Sequence, residues 1–95
     1  MKILPELEVY RDRLMTRAAT WVETSEADLL QELDRCLAQV ALLEKAVSGL
    51  RRELDEVSPE AAGRIERRLS IQDQTRELTA AYAVVLRRHL EGRVS

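Results

Sequence analysis

Residues 29–57 read LLQELDRCLAQVALLEKAVSGLRRELDEV. Within them Leu29, Leu33, Cys36, Val40, Leu43, Val47, Leu50, Leu54 and Val57 recur at intervals that alternate between four and three. That period of 3.5 residues is the mark of a helix whose apolar seam faces another helix in left-handed packing. Gly49 lies off the seam and weakens the helix by about 1 kcal/mol relative to Ala. Leu30, Leu37 and Leu42 widen the apolar surface in the first half only. Just upstream, Ser25 and Asp28 have the spacing of a helix start. The second helix is therefore expected over residues 26–57.

Moving toward the N-terminus, Pro5 suits a first helical turn, where its missing N–H has no intrahelical partner in any case. Leu7, Tyr10, Leu14, Ala18 and Trp21 then follow at intervals of three and four, predicting a first helix over 5–22. Toward the C-terminus, Ser58-Pro59-Glu60 supplies an N-cap hydroxyl, a proline at the first position and an early acid. A third helix is expected from Pro59 to about Glu91, ending near Gly92. The connection between the second and third helices is very short, and short connections make antiparallel neighbours. The chain reads as one all-α domain over residues 1–95: an antiparallel three-helix bundle in which two long helices extend past a shorter first one.

At about 1.5 Å per residue the two long helices each reach roughly 50 Å and the first about 27 Å. The first helix can then cover only one end, leaving residues 46–72 as a bare two-helix hairpin. Ile71-Gln72-Asp73-Gln74-Thr75-Arg76-Glu77-Leu78 lies where hairpin becomes bundle. On a helical wheel Ile65 and Leu69 share one line, while Ile71, Leu78, Tyr82, Val85 and Leu86 lie on another. Gln72 and Arg76 stand where the first line would continue, so the polar run marks a change of packing face. Two bare helices are expected to leave Val47, Leu50, Leu54, Val57, Ile65 and Leu69 partly open. Together with Ile71, Gln72 and Arg76 they form the expected partner-binding surface, suited to a foreign helix or to a second copy of the chain.

Composition narrows the function. The 95 residues are 45% hydrophobic and 34% charged, with a net charge of −2. That is too apolar for a disordered chain and too charged for a membrane one. No apolar run approaches the roughly 20 residues that span a bilayer, and the N-terminal segment is broken by Pro5 and Glu6, unlike a secretory signal. Residues 1–57 hold 8 Lys/Arg against 12 Asp/Glu, and residues 58–95 hold 7 against 5. The basic excess is too small for a nucleic-acid surface. A single cysteine, Cys36, excludes an internal disulfide and points to the reducing cytosol. One His and one Cys far apart make a poor metal set, and no cofactor motif is present.

Catalysis has little to stand on. The seam of the second helix carries no cation, and the Arg51-Arg52, Arg67-Arg68 and Arg87-Arg88 pairs flank apolar stripes, as snorkelling side chains do. His89 falls in the last turn of the third helix, where a cation favours the helix dipole. Cys36 reads as a small core residue.

RAATWVETSEADLLQELDRCLAQVALLEKAV (17–47) resembles the first hairpin of FliT-type flagellar export chaperones, in which an Ala-x-x-x-Trp-like segment leads into a D-L-L helix start. IQDQTRELTAAYAVVLRRHL (71–90) is similar to that family's third helix. The resemblance covers about residues 10–90 through loose motifs. It implies a small cytosolic protein that holds a secreted flagellar substrate, such as the filament-cap protein, and delivers it to the type III export machinery. Family members commonly carry a further C-terminal helix, whereas this chain stops at Ser95; a related small type III secretion chaperone is the neighbouring class. The other reading is a homo-oligomeric coiled-coil scaffold without a client.

Overall fold

The computed structural model describes residues 2–94, and every regular element in that span is helical. α1 runs Glu8–Ala19, α2 Glu26–Glu56 and α3 Pro59–Val94, with 3-10 turns at Pro5–Leu7 and Trp21–Glu23. α2 and α3 form an antiparallel hairpin about a seam in which Leu29, Leu33, Leu43, Val47 and Leu50 are buried. Cys36, Val40, Leu54 and Val57 are half-buried. Thus no member of the 3.5-residue seam is left in open solvent.

Local chemistry sets the boundaries. Ser25 has extended backbone angles, and its hydroxyl accepts a hydrogen bond from the Asp28 N–H at 3.2 Å, satisfying one free donor of the first turn. Val57 turns the chain with φ −95° and ψ 161°. The Ser58 carbonyl then accepts from Ala61 N–H at 3.0 Å and from Ala62 N–H at 3.2 Å, starting α3 at Pro59. Glu60 sits in that first turn with its carboxyl below the usual range, held there by its own backbone N–H and by the Ser58 hydroxyl.

Two boundaries differ from expectation. The first helix is not continuous over 5–22. Leu4 is extended, Pro5–Leu7 is a tight 3-10 turn, and the α-helix proper begins at Glu8. At the other end the Thr20 hydroxyl donates to the Arg17 carbonyl at 2.7 Å and the Thr24 hydroxyl to the Thr20 carbonyl at 2.9 Å, which draws the chain into the second 3-10 turn. α3 does not end near Gly92 either. No glycine among the described residues has positive φ, so Gly92 remains helical and the helix continues to Val94.

α1 lies along the C-terminal half of α3, parallel to it, as shown by Tyr10 beside Thr79 and Trp21 beside Tyr82. The main core sits at that end, around Trp21, Leu29, Leu33, Tyr82, Ala83, Leu86 and Leu90, with Leu14, Ala18 and Cys36 packed against it. The molecule measures 54 × 23 × 18 Å with a Cα radius of gyration of 16.1 Å. A compact chain of this length would have about 12 Å, so the hairpin makes the protein a rod.

The exposed tip expected over 46–72 is smaller and better packed than anticipated. The N-terminal segment reaches Gln74 through the Leu4 N–H, and Glu6 reaches Arg67, with N···O distances of 2.6 and 2.7 Å. Val47, Leu50 and Ile65 are only 4%, 7% and 4% exposed. Two facing seams bury one another by interdigitation, so no third helix is needed to cover them.

Candidate functional site

The residues singled out from the sequence fall into two groups. Val47, Leu50 and Ile65 are hairpin core, and their burial removes them from any open docking surface. Leu54, Val57, Leu69, Ile71, Gln72 and Arg76 are half-buried. The polar run at 71–78 resolves into separate tasks. Arg76 donates to Asp73 Oδ1 from Nε at 3.1 Å and from Nη2 at 2.9 Å, and its Nη2 lies 3.7 Å from Glu77. The bond to Asp73 raises the Arg76 guanidinium pKa and keeps it charged. Gln74 accepts from the Leu4 N–H at 2.6 Å and donates to the Lys2 carbonyl at 2.8 Å, so one side-chain amide grips the N-terminal segment. Thr75 donates to the Ile71 carbonyl of its own helix at 2.7 Å. Every residue from Ile71 to Leu78 is half-buried, as befits a segment with neighbours on two sides.

A polar cluster that the sequence did not announce ties the three helices together. Trp21 Nε1 donates to the Tyr82 hydroxyl at 3.0 Å, and that hydroxyl donates in turn to Glu32. Arg17 Nε donates to the other Glu32 oxygen at 2.7 Å, and its Nη1 donates to the Thr20 hydroxyl at 2.8 Å. The Trp21 and Tyr82 rings meet edge to face with centroids 5.2 Å apart. Burial pushes the Glu32 carboxyl up, but hydrogen bonds from Tyr82 and Arg17 outweigh it and hold the group below its ordinary value of 4.5. Burial together with the bond to Glu32 pushes the Tyr82 phenol well above its usual range. Arg93 closes the same corner, donating to the Trp21 carbonyl and, at 2.8 Å, to that of Thr24. Glu32 flanks the seam one turn before Cys36, and an acid there beside a lone Trp is the signal that could have pointed to the cluster.

The cluster has no free nucleophile or poised base. Tyr82 is held neutral, Glu32 accepts from both Tyr82 and Arg17, and burial pushes the Cys36 thiol up, away from thiolate reactivity. His89 lies against Trp21 with centroids 5.4 Å apart and buries an unpartnered Nε2. It therefore packs against Trp21, more than a turn before α3 ends at Val94, instead of capping a last turn. Among the described residues, no group of three or more His, Cys, Asp or Glu could hold a metal ion.

Open apolar surface lies elsewhere, on the bundle end. On the face of the α2–α3 hairpin that α1 leaves free, Leu37, Val40, Ala80, Ala83, Val84 and Arg87 line a shallow groove of about 150 Å³. Leu37 is 41% and Val84 50% exposed, and Leu30, two turns up α2, is 47% exposed. A second groove of about 250 Å³ runs between α1 and α3, lined almost entirely by carbon from residues such as Leu14, Met15, Leu78 and Val85. Comparison with known protein families, with curated proteins and with solved structures finds no match. Among the described residues, no helix is long and apolar enough to cross a membrane.

Proposed function

We propose that this chain is a non-catalytic helix-binding protein that works as an export chaperone of the FliT kind. Its client is a secreted flagellar or type III substrate such as a filament-cap protein, met in the cytoplasm. The observation that carries the reading is the apolar groove around Leu37 and Val84, which no α1 residue lines and which Leu30 extends. Leucine and valine spaced along two parallel ridges suit the apolar face of one amphipathic helix, read at intervals of three and four. The polar cluster supports a binding role as well, because its groups satisfy one another and fix the helices without offering chemistry to a substrate.

The client-binding surface in this reading is the bundle end, not the hairpin tip. The test is titration of the purified chain with the filament-cap protein of its own organism, followed by calorimetry. One-to-one binding is expected, with Leu37→Asp and Val84→Asp each weakening it at least tenfold while circular dichroism stays unchanged. Absence of binding would overturn the chaperone role. The same face suits a second reading, a self-assembling scaffold, in which a tight oligomer forms and Leu37→Asp dissociates it.

A further inference from the structure

The segment formed by residues 2–18 is held very differently at its two ends. At its C-terminal end Trp21 is 5% exposed, sits in the main core, and has its carbonyl gripped by Arg93. Toward the N-terminus Leu7 is the one buried side chain of residues 2–18, and α1 itself buries none. Near the clamp Arg17 donates to Glu32 at 2.7 Å, and Leu14 and Ala18 pack half-buried against the main core; farther toward the N-terminus the ties are the Gln74 amide on Lys2 and Leu4, the Glu6–Arg67 pair, and the Tyr10 hydroxyl 2.5 Å from that of Thr79. Thr79 donates to the Thr75 carbonyl, so Tyr10 is the donor in that pair. Beside these ties an open groove of about 250 Å³, lined by Leu14 and Met15 of α1 and by Leu78 and Val85 of α3, runs between the two helices. An element with little burial and solvent-exposed bonds opens at low cost.

We propose that residues 2–18 form a hinged latch, swinging off α3 as a unit about the Trp21 clamp. Opening strips the cover from Ile71 and Leu78, which join Val85 in one apolar strip along α3, while Trp21 stays on Tyr82. The opening itself is independent of the chaperone reading. Use of the opened strip to seat a partner's amphipathic helix rests on it.

Hydrogen exchange of the intact free chain, read by mass spectrometry, tests the latch without any client. The decisive amides are those of residues 12–18, which are hydrogen-bonded within α1 and would stay protected if only the N-terminal turn frayed. They are expected to exchange about tenfold or more faster than those of residues 29–50, in step with residues 8–11. Gln74→Ala should speed exchange across 8–18 by a further factor of about five, the weight of one or two hydrogen bonds, and leave 29–50 unchanged. The double variant Glu6→Gln, Tyr10→Phe should act in the same direction through different ties. Exchange of 12–18 at the rate of 29–50, or acceleration of all three helices alike by Gln74→Ala, would overturn the proposal.

Discussion

Tyr82 is the residue through which three helices speak to one another. Its hydroxyl accepts from Trp21 and donates to Glu32, so Tyr82→Phe strands two partly buried polar groups at once. A loss of about 1–3 kcal/mol is expected in denaturant melts, together with a change in Trp21 emission. A loss below about 0.5 kcal/mol would show that water substitutes for the hydroxyl. Glu32 adds a pH dependence of known sign. Its folded-state pKa lies below 4.5, so the unfolded chain binds the proton more readily. The stabilisation is fully present above pH 4.5 and is lost as pH falls through the folded value. Melts from pH 7 down to pH 3 should lose stability over that window, and Glu32→Gln should remove that share of the loss; an unchanged acid slope in the variant would contradict the assignment. Little of this cluster was legible in the sequence. A glutamate beside a seam is usually a solvated rim residue, and only the fold brings residues 17, 21, 32 and 82 to one point.

Periodicity carries much more at the scale of the element. The seam of α2 was legible because a 3.5-residue repeat forces one face inward whatever the neighbour, and each of its members is buried or half-buried. Helix starts were legible for the same local reason, through Ser25 and Ser58-Pro59. Glycine was misread at Gly92, because the residue ends a helix only where the backbone takes positive φ. No glycine does so here, and nothing lies within 4 Å of where a Cβ would sit on Gly49 or Gly63. Gly63→Ala and Gly49→Ala are therefore each expected to stabilise the protein by about 0.5–1 kcal/mol, read as a higher melting temperature. A lower one would mean that α2 or α3 departs from a regular helix there. At the hairpin tip Val47, Leu50 and Ile65 are more buried than the lack of a third helix suggests, because facing seams shield each other, whereas Leu54, Val57 and Leu69 are half-buried as expected. Ile65→Asp should accordingly cost about 3 kcal/mol or more, by burying an unpaired charge, whereas Leu37→Asp on the open face should cost little. Equal costs at the two positions would contradict this division between core and open face.

Over the whole molecule, one 54 Å rod carries two kinds of apolar surface. The hairpin seam is closed and holds the rod together. The bundle end keeps open grooves on both sides of α3, one left free by α1 and one beneath it. Helix lengths read from the sequence placed the bundle at the correct end. They did not show that α1 seats on α3 with the N-terminal segment held by Gln74, since a glutamine amide signals no particular partner until the fold supplies one. The mass in solution of the free chain, and of the chain mixed with its organism's filament-cap protein, measured by light scattering, tests the binding role most directly. A single chain when alone, gaining one partner mass on mixing and failing to do so as Val84→Asp, is the predicted result. A tight oligomer that takes up no partner, and that Val84→Asp takes apart, would contradict it.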